Sequence, residues 1–408
     1  YPITIVEKTS RIGGRINTMK RNNITYEIGA ARYSEKHVIL KELIHDLGLS
    51  DYVYENKNKK YYYVHGKIFK TEKSLLNYHK VDRFRSVKNI WNFVFLSLSK
   101  YSKDYLLYHT VNDILSEILS TGEKNVLIIS FLYNTKIFYS NAYTTFTAIK
   151  NDYGIFKNKM YGLKNGIQIV LDALQDKFLK NNGRILFEHD VYKINKTCIN
   201  VSHNRSNYSI KYNKLFLCIT NFDLLNIQNL YNMTEKSILS KSLQSGSLMR
   251  IYAKYPVQKN KSWFSDLPKI LTDNQLQFFI PVDYESGLVM VSYSTDKLAD
   301  YWNQFGSKKD VTDNIQTILK SMFPDLKIPD PEWVSIHYWA KGIHYWAPKY
   351  DPDVVNTIIH KFDNIYVRID ILERLFLKIM NLTNENEKEI KLVPDMLNLL
   401  GCSKDNFL

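Results

Sequence analysis

The opening stretch YPITIVEKTSRIGGR constrains this chain more than any other. Residues 2–7 form an apolar run that reads as a buried strand ending on Glu7. A polar turn follows, carrying Arg11, Gly13, Gly14 and Arg15. A second short extended segment is predicted at 24–28. An amphipathic helix comes next, with Ser34 as its N-cap, Val38, Leu40, Leu43, Ile44 and Leu47 on its apolar face, and Gly48 as its stop. Strand, glycine turn, extended segment and helix make an α/β beginning.

The residue types in the turn suit one kind of ligand. In a dinucleotide-binding fold the second strand ends on an acidic residue, because a carboxylate takes both ribose hydroxyls as donors, and Glu7 stands at such an end. Glycines let backbone approach a pyrophosphate or a flat ring closely, and arginine offers a fixed cationic fork. A Gly-Gly pair between arginines also serves as a plain tight turn, and the residues alone leave both readings open.

A chain of 408 residues has room for two domains. With 45% hydrophobic and 24% charged residues it is ordinary for a folded protein, although 30 Tyr suggest aromatic-rich packing. Three cysteines are too few and too scattered for a disulfide framework or a Cys-based zinc site, which favours a reducing, cytoplasmic compartment. The net charge of +14 is spread along the chain, so a nucleic-acid partner is not expected; the run at 57–60 reads as a solvated turn before a strand. No apolar run reaches the length of a membrane span. With neither an initial Met nor a charged leader, the sequence reads as starting inside a longer frame.

Beyond the first helix, 61–69 alternate like a hairpin and 84–120 carry helical periodicity. A long helix follows YGLKNG, then a strand after Gly183. KLFLCIT is a short run of the kind buried in a parallel sheet. The segments GSLMRIYAKYP, LQFFIPV and GLVMVSYST read as strands of a more antiparallel region, 309–322 as a helix, and 371–408 as a divergent helical tail.

In combination, VEKTSRIGGRI and YEIGAARYS resemble the flavin-containing amine oxidase superfamily, which includes monoamine and polyamine oxidases and, more distantly, protoporphyrinogen oxidases and carotenoid desaturases. The likeness continues in order through YGLKNGIQIVLDAL, GRILFEHDVYKI, NKLFLCIT, the 244–340 region (in the manner of algal and giant-virus members) and YWAKGIHYWAP. It implies an α/β fold of mixed α+β character. A discontinuous, Rossmann-like FAD domain would comprise 1–69, 160–243 and 341–370, and an inserted substrate domain 70–159 and 244–340. It further implies that Glu7, Arg11, Gly13, Gly14, Arg15, Gly29, Ala30, Arg32 and Val191 contact FAD, while Arg250, His344 and Trp346 face the substrate. The implied reaction is hydride removal from an amine C–N bond with molecular oxygen as acceptor.

Three departures from the family pattern bear on this. The family's first strand and its Gly-x-Gly-x-x-Gly turn lie upstream of the segment that opens this sequence. Arg368-Ile369-Asp370 stands where the family carries Gly-Glu, and Arg250 stands where a lysine commonly holds a water. They keep open a catalytically inactive or FAD-deficient relative acting as an interaction module, and a protoporphyrinogen-oxidase-like or desaturase-like flavoenzyme. A metal is not expected, because neither copy of His-Tyr-Trp, at 337–339 and 344–346, has a carboxylate or Cys at ligand spacing.

Overall fold

The computed structural model describes residues 3–56, 59–152 and 159–367. The expected tail at 371–408 and the Arg368-Ile369-Asp370 departure lie outside the described residues.

The opening strand Thr4–Val6 pairs in parallel with Arg184–Leu186. Glu7 continues the pairing, its N–H reaching the Leu186 carbonyl at 2.9 Å. The apolar run in KLFLCIT is the strand Leu215–Leu217, which lies parallel to Ile365–Val367. Parallel strands of this kind are buried on both faces. Here Leu217, Ile365 and Val367 share one apolar core with Ile194, Val201, Leu239 and Val355, and Val6 packs on its edge.

The larger unit is a seven-stranded sheet built around the long strands Leu243–Lys254 and Trp333–Trp346, which run antiparallel from Leu243 opposite Trp346 to Lys254 opposite Trp333. Leu288–Thr295, Phe278–Asp283 and Lys269–Thr272 extend it on one side. The hairpin Lys60–Val64 and Lys67–Phe69 closes that edge, so residues on the nucleotide side of the expected 69/70 boundary complete this sheet.

Alternation sets the two faces of the sheet. Met249, Ile251, Ala253, Val289, Val291 and Val334 pack on one face beneath the helices Lys297–Asn303 and Lys308–Met322. On the other face Tyr252, Met290 and Trp333 meet Tyr26 and Ile28, with Tyr293 and Trp339 partly buried against them. Helices between residues 72 and 152 form a separate apolar layer against Tyr62, Val64, Leu271 and Phe278.

Two local expectations change. The segment before Ile24 is a strand rather than a plain turn. Thr18–Arg21 pairs antiparallel with Ile24–Glu27 across Asn22 and Asn23, both at positive φ as a tight hairpin turn requires. Ser34 is not the cap of the first helix. Tyr33 and Ser34 pair with Met160 and Tyr161, which holds them extended, so the helix begins at Val38 with His37 at its N-cap and no side-chain capping bond.

Candidate active site

The site is built where the loop Ile28–Arg32 meets the open face of the seven-stranded sheet. Two backbone segments dock here. Ala30 N–H donates to the Arg15 carbonyl at 3.0 Å and Ile28 N–H to the Asn17 carbonyl at 3.0 Å. Gly29 is required at this crossing, since a Cβ there would collide with the Arg15 carbonyl oxygen. Gly13 has φ +106°, and a Cβ on it would lie 2.7 Å from Leu171 and 2.8 Å from the Ile16 carbonyl oxygen.

Side chains from the sheet then pin this loop by its carbonyls. Arg250 Nη1 donates to the Glu27 carbonyl at 2.7 Å, and the Tyr252 hydroxyl donates to the same oxygen. Trp339 Nε1 donates to the Ile28 carbonyl at 2.7 Å. The Glu27 carboxylate faces the other way, accepting from Ile167 N–H at 2.6 Å and Thr18 Oγ1 at 2.8 Å. Burial raises its pKa, against the lowering pull of those bonds and of Arg250.

Register decides which side chains meet Arg250. Its cross-strand partners are His337 on one side and Tyr293 on the other. The guanidinium lies over the Tyr293 ring at 5.0 Å from the centroid. His337 Nε2 is 2.8 Å from Ser335 Oγ, to which the Tyr26 hydroxyl donates at 3.2 Å. Burial, with Arg250 beside it, pushes the His337 pKa down to about 4, so its imidazole is neutral at ordinary pH. Burial raises the Tyr252 and Tyr133 hydroxyls to about 12, which keeps both as donors. The aromatic wall continues from Tyr293 to Phe278 at 5.5 Å and from Phe278 to Tyr133 at 6.2 Å.

The residues expected from the sequence separate into groups. Glu7 ends the first strand, and its Oε1 accepts from Thr9 N–H at 2.8 Å and Thr9 Oγ1 at 2.7 Å. Val191 lies nearby, two residues beyond His189, whose N–H donates to the Glu7 carbonyl at 3.0 Å. Arg11 is turned onto its own loop, donating to the carbonyls of Ile12, Gly14 and Ile16. Arg15 reaches the Gly342 carbonyl at 3.5 Å. Arg32 makes no hydrogen bond or ion pair among the described residues.

His344 and Trp346 do not meet Arg250. His344 pairs with Ser245, its Nδ1 3.0 Å from Ser245 Oγ. That is five positions from Arg250 along the strand, or roughly 16 Å at about 3.3 Å per residue. The Trp346 side chain packs on the Leu217, Leu239 and Val355 core of the nucleotide half.

Sequence reasoning missed Glu27, Tyr252, Tyr293, His337 and Trp339. The first His-Tyr-Trp copy and the i, i+2 spacing of Arg250 and Tyr252 were the available signals. A cavity of about 150 Å³ among Met249, Trp302, Phe305 and Ile336 opens on the opposite face of the sheet and has no part in this site. Among the described residues no cluster of His, Cys, Asp or Glu could hold a metal ion.

The flavin containing amine oxidoreductase family matches residues 1–355, and this chain belongs to that family. Among solved structures, cyclohexylamine oxidase from Brevibacterium oxydans IH-35A is similar, with a TM-score of 0.64 and 15% identity over 89% of this chain and 86% of that one. At that identity the likeness is one of fold. A search of curated proteins found no match. The chain is therefore a flavin-dependent oxidoreductase of mixed helix and sheet. No described helix is long and apolar enough to cross a membrane.

The residues present fit a flavin nucleotide. Arg250 is only 8% exposed, yet its Nε has no acceptor among the described residues. Arg32, at the end of the Gly29–Ala30 loop, has no hydrogen bond or ion pair among the described residues. Glu7 keeps Oε2 free of hydrogen bonds among the described residues. Buried polar groups are normally satisfied. A ring carbonyl or phosphate would supply the acceptor that the buried Arg250 Nε lacks, while the half-exposed Glu7 carboxylate and Arg32 guanidinium are of the types that suit ribose hydroxyls and an anionic group.

Proposed function

We propose that this chain oxidises the C–N bond of an amine with FAD as cofactor and molecular oxygen as acceptor. The observation that carries this reading is the pinned Ile28–Arg32 loop facing an aromatic wall on which Arg250 keeps an unsatisfied, buried Nε. In this reading Glu7 holds the ribose hydroxyls, and Arg15, Gly29, Ala30, Arg32 and the Val191 backbone line the cofactor. Gly13 and Gly14 shape the turn. Arg11 acts mainly through that turn, because three of its five N–H donors are already spent on loop carbonyls. The nucleotide half keeps its expected segments 1–69, 160–243 and 341–370, with 60–69 also completing the substrate sheet.

FAD, when bound, supplies the hydride acceptor and passes the electron pair to oxygen. Over the whole reaction an amine, oxygen and water give a carbonyl compound, ammonia and hydrogen peroxide. The protein's part is to present the amine unprotonated, since an ammonium nitrogen has no lone pair to stabilise loss of the α-hydride. Arg250 cannot take that proton, because a guanidinium stays charged, and His337 at about 4 is a weak base. The permanent cations at the wall instead favour the neutral amine, as any like charge does. Tyr252 and Trp339 hold the loop rigid, and the rings of Tyr293, Phe278 and Tyr133 exclude water. His344 and Trp346 lie farther along the strand, where they could touch only an extended substrate.

The test is an oxygen-dependent assay on the FAD-loaded chain with primary amines, following peroxide and ammonia together. Equal release of both supports the reading. Flavin retention without turnover of any amine or amino acid favours the inactive relative.

A further inference from the structure

The end of the opening strand is held from both sides by the chain that joins the strands Arg184–Leu186 and Asp190–Ile194. Glu7 N–H donates to the Leu186 carbonyl at 2.9 Å, and His189 N–H donates to the Glu7 carbonyl at 3.0 Å, so both backbone groups of Glu7 are taken up here. Glu188 N–H donates to the Thr9 carbonyl at 3.0 Å, and Lys8 pairs with Asp190 at 3.0 Å. The corner at 187–189 thereby sets where Glu7 stands, and Val191 lies two residues beyond it. The corner is itself strained. Glu188 sits at φ +60°, the left-handed region that disfavours every residue with a Cβ, so the turn needs bracing from outside its own strands.

Two imidazoles supply that brace. His189 is buried, and its ring lies flat on that of His203, with centroids 4.1 Å apart and planes 10° from parallel; Tyr208 meets His189 edge-on at 5.8 Å. Antiparallel pairing of Asp190 with Ser202 brings His203 to the corner from the neighbouring strand Cys198–His203. Each ring donates from Nδ1 to a corner carbonyl, His189 to Phe187 and His203 to Glu188, the latter at 3.1 Å. His203 Nε2 accepts from Asn204 Nδ2 at 2.9 Å, which leaves the proton of a neutral ring on Nδ1. The strained Glu188 is therefore tied in two directions, by its N–H to the Thr9 carbonyl and by its carbonyl to His203.

We propose that the stacked pair His189 and His203 positions the adenosine half of the cofactor, acting through the 187–189 corner on Glu7 and on the Val191 backbone. This rests on the FAD reading above. A shift of the corner moves the Glu7 carboxylate and Val191 together, the two groups that reading assigns to the adenosine. The Ile28–Arg32 loop is tied instead to Arg15, Asn17, Arg250 and Trp339, so loosening the pair leaves it in place.

The test compares wild type, His203→Ala, His203→Asn and His203→Phe in the full chain, by calorimetric titration with ADP and by amide hydrogen exchange without ligand. Asparagine carries an N–H as many bonds from the backbone as Nδ1, whereas phenylalanine keeps a ring and loses the donor. ADP should bind His203→Ala and His203→Phe about five- to tenfold more weakly than wild type, and His203→Asn within about threefold of it. Exchange at the Glu188 and His189 amides should quicken about fivefold or more in His203→Ala, while that at Ala30 stays within about twofold. A merely structural histidine would instead quicken both regions alike. Unchanged ADP affinity in His203→Ala, equal losses in the asparagine and phenylalanine variants, or Ala30 exchange rising in step with His189 overturns the proposal. If wild type binds neither ADP nor FAD, the cofactor reading fails, while exchange at Glu188 and His189 still decides whether the pair braces the corner.

Discussion

Replacing Arg250 by methionine separates a ligand-binding guanidinium from a structural strut. In wild type the guanidinium makes a charge-assisted bond to the Glu27 carbonyl at 2.7 Å, worth about 1.5–3 kcal/mol, and a cation–π contact with Tyr293 worth about 1–2 kcal/mol. Against this stands the cost of burying a charge with no carboxylate partner, several kcal/mol on any estimate. The opposed terms nearly cancel, so without flavin Arg250→Met should lie within about 2 kcal/mol of wild type. At about 2.1 cal/mol/K of unfolding entropy per residue, a chain of this length shifts by about 1.2 °C per kcal/mol, placing the variant within about 3 °C. Added FAD at a hundred times its Kd should stabilise wild type by about 2.7 kcal/mol. Loss of one charge-assisted contact to the cofactor weakens binding about 10- to 150-fold, which cuts that gain to roughly 0.3–1.4 kcal/mol. The assay is thermal unfolding with and without FAD. A variant that loses more than about 4 kcal/mol without flavin, yet keeps the full flavin-induced shift, would show that Arg250 only braces the loop.

Further substitutions probe the rest of the site. Gly29→Ala forces a Cβ into the Arg15 carbonyl and should cost several kcal/mol together with flavin binding, whereas Gly48→Ala, at φ +71° with nothing within 4 Å, should cost only about 1 kcal/mol; denaturant melts compare them. Trp339→Phe removes the 2.7 Å bond to the Ile28 carbonyl and should lower stability by about 1 kcal/mol and FAD affinity several-fold in a fluorescence titration. His337, held near 4, stabilises the fold above the unfolded histidine pKa of about 6.5, and that contribution drains away as pH falls from about 6.5 through 4. The shift corresponds to about 3.4 kcal/mol, reduced by solvent screening at this half-exposed side chain to about 2 kcal/mol, so His337→Gln should flatten the acid limb of the stability–pH curve by about that much, and an unchanged acid limb would mean the histidine protonates freely in the fold.

Much of the architecture is legible in local pattern. The period-2 segments around Arg250, Phe279 and Met290 become sheet strands, VNDILSEIL becomes a helix with a capping box at Thr110, and KLFLCIT becomes a buried parallel strand. Ser34 misleads because Tyr161 pairs across from Tyr33, a partner more than 120 residues away. The site divides in the same way. Glu7 and the Arg-Gly-Gly-Arg turn stand out because glycine and an acidic strand end carry local meaning. His337 does not, since its place opposite Arg250 depends on strand register, and a one-residue slip would exchange the whole face. For that reason the second His-Tyr-Trp copy draws attention in the sequence, whereas the first lies beside Arg250.

If the reading is right, the Ile28–Arg32 loop and the Arg250 face hold a working flavin beside an amine. The direct measurement is anaerobic mixing of the FAD-loaded full chain with benzylamine and with phenylalanine while the visible flavin band is recorded. FAD should stay with the protein through gel filtration, and its band should bleach on mixing with an amine and return when oxygen is admitted. Loss of FAD during filtration, or a retained band that neither compound bleaches, would contradict it.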